Sequence, residues 1–280
     1  MNAASQPPQA EAPARSGFWR LGVGLLFTPV AVGVAAAAFP HLQLGETAAS
    51  ACAFAGATLC AIVGLSLAAM VEAPLAAALT AAALCAGLLL TLAVVQPAPV
   101  ATVLLVNSGL VALAWALGCT LGRRVQHAAH LFPACVVAAS ADLVSLLSPE
   151  GPSHAIAESE RALSVLAVWF PVPGGSAQAP ALGLGDLLFM ALTFGVARAH
   201  GLPYLRCVLA CAAGTALAGV AAACTGLAIP ALVPIAAMLV LTLPAIRKLR
   251  YSDRTAALWS MLIAGAVALA TLVRVVLNGH

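Results

Sequence analysis

Charge is scarce in this sequence: Asp, Glu, Lys and Arg make up 8% of its 280 residues, against about a quarter of an ordinary soluble domain. So little polar surface cannot cover a water-soluble globule, and with 63% of the residues hydrophobic the solvent implied for the chain is lipid. The formal charge is only +3. Its basic residues stand at the ends of apolar segments rather than in a stripe, a pattern that implies no nucleic-acid partner. Alternation of polar and apolar residues is also missing, and the apolar runs are longer than barrel strands, which excludes a membrane β-barrel. In lipid a helix satisfies its own backbone hydrogen bonds, so the fold class is all-α. Cys-x-x-Cys spacing is absent too: Cys52, Cys60, Cys85, Cys119, Cys135, Cys207, Cys211 and Cys224 fall in or at the ends of apolar runs. They read as small packing residues rather than metal ligands or a redox pair, and no metal or cofactor is implied.

A membrane span needs about 20 apolar residues. Runs of about that length cover 18–39, 48–70, 73–95, 99–121, 126–148, 180–199, 203–225, 230–246 and 255–277, which predicts a polytopic transmembrane bundle of about nine helices. Residues 1–17, rich in Pro, Ala and Gln, read as a disordered tail ahead of one membrane domain, 18–280. Their apolar run starts too late for a cleavable signal. Breakers separate the spans, among them Glu72 with Pro74, Pro97 with Pro99, and Gly201 with Pro203. The stretch 149–179 is a hydrophilic loop. Its apolar part, Ala162 to Val172, is too short to span and suits an interfacial or cavity-plugging segment. With loops on alternating sides, Arg15, Arg20, Arg123, Arg124, Arg198, Arg206, Arg247, Lys248, Arg250 and Arg254 share one side, while Arg161 and Arg274 fall opposite. The positive-inside rule then makes the N-terminus cytoplasmic.

Two acidic residues, Asp142 and Asp186, stand inside runs that read as membrane helices. A charge there costs roughly 2.5–3.5 kcal/mol on insertion scales, so a functional role is the default expectation, with pairing to a base or capping of a helix as the structural alternative. Asp142 lies seven residues before Pro149 and Asp186 six after Pro180. At helical rise, both sit roughly 9–11 Å inside the membrane from the same connecting loop. Carboxylates at matching depth on consecutive antiparallel helices can face each other. Two of them in one pocket cannot both ionise cheaply, so one can take a proton from water while the other gives one to a peptide carbonyl. The same pair would also serve as a proton relay in a transporter.

The local sequences go further. Asp186 ends Gly183-Leu184-Gly185-Asp186, where the glycines let backbone or substrate approach the carboxylate. Asp142 opens Asp142-Leu143-Val144-Ser145-Leu146-Leu147-Ser148-Pro149-Glu150-Gly151-Pro152, and Ile229-Pro230-Ala231-Leu232-Val233-Pro234 follows later. In this order the three segments resemble the presenilin and signal peptide peptidase family of GxGD intramembrane aspartyl proteases, closer to presenilin in the first two. The likeness is specific over 140–235 and generic before it. It implies a catalytic Asp142 and Asp186, with Gly183, Leu184, Gly185, Pro230, Ala231 and Leu232 shaping the site, and transmembrane proteins or peptides as substrates. The chain departs from the family at Ala141, where a tyrosine is usual. It also departs in having about four spans before the Asp142 helix, in an added span after the Pro-Ala-Leu helix, and in an orientation nearer to signal peptide peptidase. A catalytically silent relative that holds membrane helices is therefore a further alternative beside the transporter.

Other residues carry lesser expectations. Glu72 reads as a loop or cap residue. His127 and His130 share a helix face without a third metal ligand and read as interfacial packing. Gly118 and Gly122 form a GxxxG that permits close helix contact. Asn107 and Ser108 are expected to hydrogen-bond between helices, and Arg247, Lys248, Arg250 and Arg254 to anchor on anionic lipid. The Ala162 to Val172 segment is expected to gate substrate access.

Overall fold

The computed structural model describes residues 15–42, 44–95, 99–148, 151–175, 177–225 and 229–278. It is a helical bundle, and among the described residues seven helices are long and apolar enough to cross a membrane. In chain order the helices are α1 (Arg15–Ala38), α2 (Glu46–Ala68), α3 (Leu75–Val95) and α4 (Pro99–Ala114). A π-helical turn over Trp115–Cys119 carries α4 on into α5 (Thr120–Arg124). Then come α6 (Leu131–Leu147), α7 (Pro152–Glu158), α8 (Glu160–Leu166), α9 (Leu184–Ala199), α10 (Tyr204–Thr225), α11 (Leu232–Thr242) and α12 (Tyr251–Asn278). Most of the expected tail, residues 1–14, lies outside the described residues, and so do Pro97, Pro149 and Glu150. Arg15 to Gly17, expected in the tail, open α1.

The departure from a purely helical reading is a two-stranded antiparallel hairpin, β1 (Ala167–Pro171) and β2 (Gln178–Gly183), between α8 and α9. The hydrophilic loop thus holds α7, α8 and this hairpin, and the start of the span read over 180–199 is strand rather than helix. Pro180 explains part of the difference, because a proline donates no ladder bond and sits readily in an outer strand. At the turn, Gly174 takes φ +87°, a left-handed conformation that glycine adopts without penalty, and Val172 N donates to Ala177 O at 3.0 Å. The apolar segment read as a gate is deeply placed: Val165, Ala167, Val168 and Phe170 are buried. Phe170 fits over Gly56 of α2, where a Cβ would stand 2.5 Å from the ring, and meets Phe39 edge-on at 5.9 Å.

Small residues set how near α9 comes to α4 and α5. A Cβ on Gly118 would lie 2.6 Å from both Leu188 O and Ala191 Cβ; one on Gly195, from the other side, would lie 2.5 Å from Cys119 O. Gly122 opposes Leu192 O still more tightly. The GxxxG read from the sequence is therefore the seam against the helix that carries Asp186. Farther along, α10 packs on both α9 and α11, and α6 packs on α11 and α12.

One end of the bundle is tied by polar groups. Arg123 donates to Ala69 O and Val71 O, each at 2.7 Å, which closes the end of α2. Tyr204 OH donates to Ser66 O at 2.7 Å. His130 Nε2 lies 3.1 Å from Asp253 Oδ2, and His127 Nε2 lies 2.9 Å from Arg250 Nη1, so the two histidines join the starts of α6 and α12. Glu72 is exposed between α2 and α3, as expected of a loop residue. Among the described residues no cluster of three or more His, Cys, Asp or Glu could hold a metal ion.

Overpacking this seam is expected to destabilise the fold. Gly118→Leu should lower unfolding stability in detergent by about 1–3 kcal/mol. Gly87→Leu, on α3 with open space around the new Cβ, should leave it within about 0.5 kcal/mol of wild type. Denaturant unfolding followed by circular dichroism reads both.

Candidate active site

Asp186 is placed by the junction between β2 and α9. Gly183, extended at φ −80° and ψ 161°, is the N-cap, and Asp186 occupies the third position of the helix. Its Oδ2 accepts a hydrogen bond from Gly183 N at 3.1 Å. An acidic side chain reaching back to the N-cap amide satisfies one of the four donors a helix start leaves open, and its charge complements the helix dipole. Neither glycine of the Gly183-Leu184-Gly185-Asp186 segment is forced by a left-handed backbone. What Gly185 contributes is room: it is exposed, and nothing lies within 4 Å of where its Cβ would be.

Asp142 is held in a matching way by a different helix start. Ala231, the N-cap of α11, has no side chain able to cap. Asp142 of α6 supplies the missing acceptor: its Oδ2 takes a hydrogen bond from Leu232 N at 3.1 Å. Pro230 precedes the helix in non-helical backbone, and Pro234, within its first turn, removes a donor that would have no partner there. Leu232 is buried, while Pro230 and Ala231 are half-buried. The Pro-Ala-Leu segment is thus in direct contact with Asp142, a contact sequence order alone cannot reveal across 90 positions.

Both carboxylates are half-buried, and the helices that carry them, α6 and α9, touch each other. Among the described residues each Oδ2 has a backbone donor, and neither Oδ1 has a hydrogen-bond partner. Asp142, Asp186, Gly183, Leu184, Gly185, Pro230, Ala231 and Leu232 are therefore gathered at two helix starts, with one oxygen of each aspartate free for water or a carbonyl. Among the described residues neither aspartate has a basic side chain as a partner. Ala141 is exposed next to Asp142 and adds no polar group.

The sequence reading missed Asn107 as part of this neighbourhood. It is fully buried on α4 and hydrogen-bonds strand β1, whereas Ser108 bonds Leu104 O within its own helix. The one signal available was a carboxamide inside an apolar run. Comparison with protein-family models, curated proteins and solved structures finds no match to this chain.

Because asparagine accepts a cap hydrogen bond as well as aspartate does, replacing either group tests capping apart from acid–base chemistry. Asp142→Asn and Asp186→Asn should be no less stable than wild type, and the Ala variants should fall about 0.5–2 kcal/mol below their Asn counterparts. Unfolding in detergent micelles measures the order.

Proposed function

We propose that the chain is an intramembrane aspartyl endopeptidase of the presenilin and signal peptide peptidase kind, cutting peptide bonds within membrane-spanning segments through Asp142 and Asp186. The observation that carries this reading is the presence, on two helices in contact, of two carboxylates each tied by one oxygen to a backbone amide and, among the described residues, without a hydrogen-bond partner at the other. One carboxylate takes the proton of an attacking water while its partner protonates the carbonyl oxygen of the substrate peptide; the roles reverse as the amine leaves. The tether to Gly183 or Leu232 fixes each carboxylate without help from a cation, which would hold both in the charged form.

A helical substrate shields its peptide bonds, so it must unwind locally before attack. β2 offers a place for the unwound segment. Among the described residues no hydrogen bond from outside the hairpin reaches β2 except the one from Gly183 to Asp186, and an extended peptide can add to a free strand edge. The exposed Gly185 leaves space for that peptide beside Asp186. The shorter helices α9 and α11 join the seven long ones as embedded elements, which gives about nine in all. The basic end of the bundle, and with it the N-terminus, then faces the cytoplasm. Lipid and transmembrane protein or peptide substrates are the partners this reading requires.

The test is cleavage of a panel of single-span peptides by purified protein in liposomes. Wild type should yield defined products, and Asp142→Asn and Asp186→Asn should each reduce the rate by at least about a hundredfold while remaining folded. Proton-driven solute uptake that both substitutions abolish, with no cleavage in wild type, would instead assign the pair to transport. Binding of the peptides without cleavage or uptake would assign the chain to helix holding.

A further inference from the structure

A strand that pairs on one side leaves the polar groups of its other side open, and in an apolar surrounding those groups must find partners. At Trp169 of β1 they find Asn107. Its Nδ2 donates to Trp169 O at 2.7 Å, and Trp169 N donates to its Oδ1 at 2.9 Å. A carboxamide carries one donor face and one acceptor in the spacing of a peptide group, so it serves as a single residue of an adjoining strand. The side chain is 0% exposed, leaving no water to substitute for either bond.

The contact falls where the hairpin is least regular. Val168 pairs with Leu182 but Trp169 pairs with Pro180, so Ala181 is an extra residue in β2 beside the Asn107 contact. A strand pair next to a bulge can slip by one residue unless something pins it. Both backbone groups of Trp169 go to Asn107, so Trp169 and Pro180 form a pair without hydrogen bonds between them. Pro180 accordingly turns its carbonyl, with no N–H, to the outer edge of β2. Three residues farther on, Gly183 donates to Asp186. The bulged strand therefore runs directly into the N-cap of α9.

We propose that Asn107 is a positioning residue: it closes the outer edge of β1 and pins the hairpin register, so that an extended substrate meets β2 in one alignment beside Asp186 and is cut at one principal bond. The role rests on the protease reading above. A hydrophobic replacement leaves the helix intact and opens the strand edge, and the consequence is loss of precision in the cut rather than a simple loss of rate.

The experiment uses the full chain in liposomes, with Asn107→Leu, Asn107→Gln and, as a control on the same helix, Ser108→Ala. Hydrogen–deuterium exchange reads the hairpin, and mass spectrometry of products from a single-span peptide reads the cut. In Asn107→Leu the Trp169 amide should exchange at least about tenfold faster, and cleavage should spread to bonds one or two residues from the principal site. Asn107→Gln keeps the carboxamide and should retain most of the precision, while Ser108→Ala should match wild type in both readouts. If Asn107→Leu does not fold, Asn107→Ala takes its place, with the same expected exchange and spread of products and the same results overturning the proposal. Unchanged exchange in Asn107→Leu, or faster exchange with the wild-type product set at a lower rate, overturns the proposal. Absence of cleavage by wild type overturns the protease reading and this role together, and the exchange result still decides whether Asn107 closes the strand edge.

Discussion

Backbone that leaves the helical state inside an apolar bundle has to find a hydrogen-bond partner for each polar group, and the arrangement of this protein follows from how it does so. The hairpin between α8 and α9 is the largest such departure. Its strands satisfy each other on the inner side, Asn107 satisfies the outer side at Trp169, and Asp186 takes the last amide of β2. The start of α11 is a second departure, where prolines at 230 and 234 remove donors and Asp142 takes the amide of Leu232. The aspartates thus stand where the main chain is incompletely served by its own helices.

This gives each carboxylate two roles that draw on different oxygens. Oδ2 is structural, since it completes a helix start, and that bond fixes the direction of the group. Oδ1 has no hydrogen-bond partner among the described residues, and in the proposed function it is the oxygen left for chemistry. The division suits the proposed hydrolytic pair, because the carboxylates are oriented by neutral amides and among the described residues no base cancels their charge. It also accounts for the packing seams: Gly118, Gly122 and Gly195 hold α9 close to α4 and α5, and Gly214 lets α10 approach Ile235 of α11.

Much of this was legible from the residues in order. The seven long apolar helices match runs of hydrophobic residues with breakers between them, because length and composition alone decide whether a segment can span. Asp142 and Asp186 stood out as charges in apolar runs, and Gly118 with Gly122 announced a close contact without naming the partner. Two things were not legible. The hairpin was hidden because its apolar residues resemble a buried helix segment in a lipid setting, and Pro180 to Gly183 continue without interruption into the apolar run of α9. The partners of Asn107 and Asp142 were hidden because they are backbone groups 62 and 90 positions away, and hydrogen bonds to main chain leave no complementary side chain to detect.

In the proposed function Asp142 and Asp186 form one site whose Oδ1 atoms turn to a common reacting group. The most direct measurement is binding of a peptide isostere bearing a hydroxyl in place of the scissile carbonyl, followed by thermal shift on wild type, Asp142→Asn and Asp186→Asn in detergent. Wild type should show saturable stabilisation that is lost, or weakened at least about tenfold in affinity, in each single variant, as expected when both carboxyl groups grip one hydroxyl. Equal binding to all three proteins, or binding that depends on one aspartate and not the other, would contradict it.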